Sequence, residues 1–167
     1  MAVAILCVAA SAFAPAIASN AIPAVRTTAG DPPYERVANG RFQLVRDVVF
    51  QTDAFGPIVL TEGYRSNGSS SPLPDTHASR MAAFLHDALY AASGHLRLSP
   101  KRTAGWTRAE ADETYCRQLA AFAVSAFHAR ANCAGARRFG GRTWDRLAPK
   151  RERRWRSWNL TLPQTID

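Results

Sequence analysis

Apolar side chains spaced for one helix face, just after position 75, constrain the fold of this chain more than any other feature. They recur every three or four residues and stop near Ser93 and Gly94. This spacing predicts an amphipathic helix that opens at Asp75 or Thr76 and must bury one face against other elements. The stripe consists of Met81, Phe84, Leu85, Ala88, Leu89 and Ala92.

A second helix is indicated by Thr107 and Glu110, which have the spacing of a capping box. In that motif the threonine side chain accepts the backbone N–H of the glutamate, and the carboxylate accepts that of the threonine. We expect this helix to run to about Phe127 and a third helical stretch to cover 128–138. Gly140–Gly141 is then expected to break the chain.

Two strand-like segments precede the helices. Arg41–Asp53 and Pro57–Tyr64 alternate apolar and polar residues and are rich in β-branched side chains, and the three residues between them suit a turn. Residues 94–106 are expected to form a loop. We therefore predict an α+β fold that is mainly helical, with an N-terminal β-hairpin followed by a helical hairpin and one or two further helices.

The length of 167 residues, with 47% hydrophobic and 20% charged side chains, suits one domain with its own core. Residues 1–18 are apolar, uncharged and contain small-x-small sites, which predicts a signal peptide, cleavage near Ala18, and a secreted or periplasmic protein. An uncleaved anchor or an apolar arm is the alternative. We expect 19–40 to be a linker, 41–148 the single α+β domain, and 149–167 a basic, tryptophan-containing tail.

Two cysteines remain if the leader is removed. Cys116 and Cys133 lie on segments expected to be consecutive helices that fold back on each other. Such a pair in an exported protein suits a disulfide, and two buried thiols are an equal alternative. A zinc site is disfavoured because neither cysteine has a second Cys or His at ligand spacing.

Positive charge is concentrated near the C-terminus. The formal net charge is +8, and between Arg137 and Arg156 nine basic residues stand against two acidic ones. A balance of this size predicts an anionic partner, such as a phospholipid surface, nucleic acid or an acidic polymer. The composition does not choose among them, and no nucleic-acid-binding motif is present.

The residues best suited to chemistry lie on the first two predicted helices. His86 and Tyr90 share one face, and Asp87 points about 100° away. If the helices pack antiparallel, Asp112 can face His86, fix its tautomer and stabilise its charged form when it acts as a base. A purely structural histidine is the alternative. Asp87 could hold Ca²⁺ together with carbonyls of the preceding glycine-containing loop, at Asn67 and Gly68.

Much of the chain, from about 42 to 147, resembles a phage- and prophage-associated family known as domain of unknown function 1353. The resemblance rests on motifs that occur in order: Gly63–Pro72 after a strand pair, Ala83–Tyr90, Thr107–Asp112, and Arg138–Gly141 with Trp144. Asn67 stands where that family usually has aspartate. The resemblance implies a phage-linked protein and says little about activity.

A shorter stretch is similar to the secreted phospholipase A2 superfamily, in particular to its bacterial and parvovirus capsid branches. It consists of His86-Asp87-x-x-Tyr90 followed by Ala111-Asp112. The resemblance implies that His86 is the base that activates water, Asp87 the calcium carboxylate, Asp112 the residue that orients His86, and Tyr90 a hydrogen-bond partner of Asp112. The expected activity is calcium-dependent hydrolysis of lipid esters at an anionic phospholipid surface.

The main alternative is a non-enzymatic phage accessory or virion protein. In that case the basic C-terminus would dock on nucleic acid or on a phage or envelope protein. A metal phosphohydrolase of the HD type fits less well, because His77 and His86 are too close together. A Ser-His-Asp hydrolase is also disfavoured, because the serines at 69–71 lack the Gly-x-Ser-x-Gly context of a nucleophile elbow.

Overall fold

Two small antiparallel sheets and three helices make up the described part of the chain, which is therefore an α+β protein. The structure is a computed structural model that describes residues 32–69, 73–98 and 105–161. The expected leader at 1–18 lies outside these residues. The elements are β1 (Tyr34–Arg36), β2 (Phe42–Leu44), β3 (Val48–Thr52), β4 (Gly56–Leu60), β5 (Arg65–Ser66), α1 (His77–Ala91), β6 (Leu96–Leu98), α2 (Arg108–Ala121) and α3 (Ala126–Thr161). The first sheet has the order β1-β2-β5 and the second has the order β3-β4-β6.

The expected hairpin is present as β3 and β4, which pair from Val48 opposite Leu60 to Thr52 opposite Gly56. The Thr52 hydroxyl closes the turn by donating to the Gly56 carbonyl at 2.9 Å. The longer strand predicted over Arg41–Asp53 is wrong as one element. It divides into β2 and β3, which belong to different sheets, because the alternation of apolar residues breaks where arginine and aspartate follow an exposed valine at position 45.

Three short strands lie where the sequence indicated none, and β5, which pairs with β2, is the shortest of them. β1 falls inside the range expected to be a linker, and its Tyr34 is buried and pairs opposite Leu44 of β2. β6 falls inside the range expected to be a loop and completes the second sheet by pairing Leu98 with Ile58. A strand of three residues is too short for its alternation to be recognised, so only its pairing partners identify it.

Both helices start where the sequence predicted, and the capping box of α1 is an additional finding of the structure. Thr76 caps α1 by accepting the Ser79 N–H, and Ser79 returns a bond to the Thr76 N–H. Thr107 and Glu110 form the expected capping box of α2. Each box satisfies backbone donors that a helix end otherwise leaves unpaired, so both helices begin at defined residues. The apolar stripe of α1 is buried as predicted.

The later helices differ from the prediction. α2 ends at Ala121, short of Phe127, because Ala123 takes a left-handed backbone with φ of 54°. The break expected at Gly140–Gly141 is wrong, since α3 is one helix of 36 residues. Gly140 instead allows close packing: a Cβ there would overlap the Tyr90 hydroxyl of α1. A glycine pair can therefore mark the contact point of two helices as well as a helix end.

The segment expected to be a tail from 149 onward continues α3 and packs on the core. The Trp155 ring lies 5.3 Å from that of Trp106, and the Trp158 ring lies 6.0 Å from it. Arg151 is 4% exposed, lies 3.5 Å over the Trp144 ring and donates to the Tyr90 carbonyl. The C-terminal half of α3 thus packs on the domain as far as Trp158.

Cys116 of α2 and Cys133 of α3 lie at disulfide-bonding distance, with Cα atoms 5.4 Å apart. We expect that replacing both with serine lowers the free energy of unfolding by about 3 kcal/mol under oxidising conditions. A disulfide that closes a loop as long as the one between Cys116 and Cys133 typically contributes this much. Denaturant unfolding with and without reductant measures the difference. In reductant the original protein and the serine variant should have the same free energy of unfolding. Labelling of both thiols in the native, unreduced protein would contradict the bridge.

Candidate functional site

A cleft of about 300 Å³ lies among α1, α2, α3 and the loop after β5. Its walls are mostly small or apolar, and its polar groups come from all four segments. α1 supplies three of these groups in little more than one helical turn, because positions i, i+1 and i+4 bracket one side of a helix. The polar lining consists of Ser69, His86, Asp87, Tyr90, Tyr115, Asn132 and Thr143.

The structure brings together three of the residues singled out from the sequence. His86 Nε2 lies 3.0 Å from Oδ1 of Asp112, across the packed helices α1 and α2. The Tyr90 hydroxyl donates to the same oxygen at 2.5 Å. The Asp112 side chain is only 4% exposed and that of His86 is 14% exposed. The carboxylate is thus held behind the imidazole, and the imidazole lines the cleft.

Electrostatics keep Asp112 ionised. Burial on its own raises the pKa of this carboxyl, but the hydrogen bonds from His86 and Tyr90, together with the charges of His86 and Arg108, outweigh burial and lower the pKa below its ordinary value. The Arg108 Nε lies 4.0 Å from Oδ2. Burial and the neighbouring carboxylate raise the pKa of Tyr90, so its hydroxyl remains a donor.

The charge of Asp112 determines the tautomer of His86. An ionised carboxylate only accepts hydrogen bonds, so Nε2 of His86 must carry the hydrogen that it donates. In the neutral ring Nδ1 then keeps its lone pair. Oδ1 of Asp87 lies 4.0 Å from Nδ1, which is too far for a direct hydrogen bond. Nδ1 is therefore the basic atom that the cleft can offer to a water molecule or a substrate.

Two tyrosine rings hold the imidazole in place. The His86 ring centroid is 4.2 Å from that of Tyr90 and 4.7 Å from that of Tyr115. Burial raises the pKa of Tyr115, so this side chain is also neutral. Contact with two rings limits rotation of the imidazole and preserves its alignment with Asp112, which a reacting histidine requires.

The residues expected to hold calcium lie next to one another, and the contacts that join them are hydrogen bonds from donors of the loop, so calcium binding here stays a prediction. Asp87 Oδ2 accepts the Ser66 hydroxyl at 2.6 Å, and the backbone N–H of Asn67 also donates to this carboxylate. The N–H of Gly68 points to Ser66 Oγ. Calcium needs several oxygen acceptors, whereas this loop turns donors toward a single carboxylate. Within the described ranges no three His, Cys, Asp or Glu side chains are grouped as metal ligands.

Burial raises the pKa of Asp87, and the hydrogen bond from Ser66 and the charge of His86 reduce this effect without reversing it. A carboxyl whose folded pKa is raised destabilises the fold at pH values above its ordinary pKa. We therefore expect Asp87→Asn to raise the thermal midpoint at neutral pH, and the gain to shrink as the pH falls toward the ordinary range of aspartate. Thermal unfolding at several pH values measures this change in midpoint. Asp145→Asn, which alters an exposed carboxylate, is the control. A lower midpoint in Asp87→Asn would contradict the expectation.

Ser69, Asn132 and Thr143 are cleft residues that the sequence did not indicate as functional. Asn132 is 5% exposed, and its side-chain oxygen accepts a long hydrogen bond of 3.5 Å from Ser69. Asn132 lies within a stretch predicted to be helical. Its being a polar residue among small apolar neighbours was the one signal in the sequence that could have indicated a functional role. Thr143 lies beyond the break that was expected at Gly140–Gly141, so no inference could place it beside α1.

No protein family, curated protein or solved structure matches this chain. Among the described residues, no helix combines the length and the apolar character needed to cross a membrane. The interpretation of the site therefore depends on its own geometry.

Proposed function

We propose that the protein is a hydrolase that cleaves carboxylic esters of phospholipids, with His86 as the general base. The observation that carries this proposal is the hydrogen bond from His86 to Asp112, which leaves the lone pair of Nδ1 available in the cleft. A histidine oriented by a carboxylate is the usual means of removing a proton from water near neutral pH.

In the proposed reaction a water molecule gives a proton to Nδ1 of His86 while its oxygen bonds to the acyl carbon. Asp112 stabilises the positive imidazole that forms. The tetrahedral intermediate then collapses: the bond from the acyl carbon to the alcohol oxygen breaks, and His86 returns the proton to that oxygen. One ester and one water thus give a fatty acid and a lysophospholipid.

The negative oxygen of the intermediate needs a donor. Asn132 is the best candidate, because within the described part of the chain its amide nitrogen makes no hydrogen bond and its side chain lines the cleft. The sequence predicted that calcium held by Asp87 would stabilise this oxygen. The hydrogen bonds already made to Asp87 do not support that assignment. No step here depends on a metal.

Lipid as substrate is supported by the lining and the rim of the cleft. Much of the wall is alanine and glycine, and Phe139 at its edge is 70% exposed. Arg138 lies 5.6 Å over the Phe139 ring, and more basic residues follow on α3. An exposed aromatic beside positive charge suits the surface of an anionic bilayer. Export of the protein remains part of this proposal.

The test is release of fatty acid from vesicles of mixed phosphatidylcholine and phosphatidylglycerol, with calcium and with a chelator instead. We expect release of fatty acid both with calcium and with the chelator. In each condition the amount of lysophospholipid should equal the amount of fatty acid. Release only with calcium would restore Asp87 as a metal ligand and contradict the metal-free step. Vesicle binding without any release would reject the hydrolase and favour the non-enzymatic phage accessory protein.

A further inference from the structure

A second cavity, of about 360 Å³, lies between the C-terminal end of α1 and the distal half of α3. It shares no lining residue with the cleft of His86. One wall is the turn after α1, which includes Ser93 and Gly94. The other wall carries three basic side chains, Lys150, Arg153 and Arg154.

These three cations occupy one side of α3, because they stand at positions i, i+3 and i+4. Like charges at this spacing repel one another and destabilise a helix. None of the three takes part in an ion pair among the described residues, in contrast to Arg117 and Arg137, which pair with Glu113. Their positive charge therefore faces the cavity without an internal counter-charge.

Capping of α1 does not explain the cluster. The last carbonyls of a helix attract cations, but three of the last four in α1 already have partners. The Ala88 carbonyl accepts the Ser93 N–H, the Leu89 carbonyl accepts the Trp106 indole N–H, and the Tyr90 carbonyl accepts Arg151. Among the contacts of the described residues, the Ala91 carbonyl, whose residue lines the cavity, is the one that remains, and a single carbonyl does not account for three cations.

Two further contacts bring hydrogen-bond donors to the cavity. A Cβ at Gly94 would lie 2.8 Å from Nη2 of Arg154, so the guanidinium lies against the backbone of the turn. The Ser93 hydroxyl accepts the His95 N–H at 3.2 Å and can donate its own hydrogen. A guanidinium fork, two more cations and a hydroxyl donor match the acceptor oxygens of a phosphate group.

We propose that this cavity binds a phosphate group, carried either by a small soluble phosphomonoester or by a lipid headgroup. A single phosphate would not fill the volume, so an organic portion of the ligand fits beside it. The proposal stands independently of the hydrolase, because it uses none of the residues of the His86 cleft.

Calorimetric titration of the full chain with glycerol 3-phosphate tests the site, with glycerol as the uncharged comparison. We expect binding of the phosphate ester alone, weakened about tenfold by Arg154→Gln and similarly by Lys150→Gln, since each change removes a charge-assisted hydrogen bond to the phosphate. Arg130→Gln removes the same charge from an exposed position on α3 outside the cavity and should bind as the unchanged protein does.

The source of the phosphate is distinguished by vesicles. Phosphatidic acid vesicles should compete with glycerol 3-phosphate if the natural ligand is a headgroup, and should fail to compete if the cavity takes only soluble esters. Gly94→Ala should also weaken binding, because it displaces the Arg154 guanidinium. Absence of binding at millimolar glycerol 3-phosphate, or an equal loss in Arg130→Gln, would overturn the proposal.

Discussion

Replacing His86 with alanine is expected to lower the release of fatty acid by about 10⁴-fold, the upper range for loss of a general base. The imidazole is the group whose Nδ1 is free to take a proton from water, and no other histidine lines the cleft among the described residues. Initial rates on phospholipid vesicles measure the loss.

His128→Ala is the matched control for this experiment. His128 lies on α3 and lines neither cavity, so its removal should leave the rate unchanged. The fold should survive His86→Ala, because Asp112 keeps its bond from Tyr90 and its neighbour Arg108. If His86→Ala hydrolyses lipid as fast as the control, His86 is not the base and the proposed mechanism is wrong.

Asp112→Asn is expected to lower kcat by about 10³-fold while leaving KM nearly unchanged. The amide keeps the size of the side chain, and its oxygen in the place of Oδ1 can still accept from Tyr90 and from Nε2 of His86. It carries no negative charge, so it no longer stabilises the positive imidazole that forms when His86 takes a proton. Asp112 does not line the cleft, so substrate contacts are conserved.

Acid stability provides a second measurement on the same variant. The folded pKa of Asp112 is lowered, so its ionised form stabilises the protein above the ordinary pKa of aspartate, and this stabilisation is lost as the pH falls through the folded value. Asp112→Asn lacks that contribution and should lose less stability on acidification. An unchanged kcat together with this altered acid profile would make Asp112 a structural residue only.

Local chemistry made much of the helical part predictable. The apolar stripe of α1 and the capping box of α2 are short-range signals, and the structure follows them. The meeting of His86 and Asp112, separated by 26 positions, follows from two helices that fold back on each other. Such a hairpin needs no knowledge of distant parts of the chain.

The rest depended on long-range packing. The split of the first strand reflects which sheet each half joins, and the continuity of α3 through Gly140 reflects its contact with Tyr90. The donors that Ser66 and Asn67 turn toward Asp87 could not be inferred either, because residue identity does not reveal whether a loop presents N–H or carbonyl groups. The fold class was therefore more accessible to sequence reasoning than the calcium site.

α3 contributes a wall to each of the two cavities, with Asn132 in one and Arg154 in the other. A helix rises 1.5 Å per residue, so these side chains are attached about 33 Å apart along α3. The helix contacts Tyr90 of α1 twice, at Gly140 and through Arg151. A movement of α3 away from α1 would therefore widen the cleft and also carry the three cations away from the turn at Gly94.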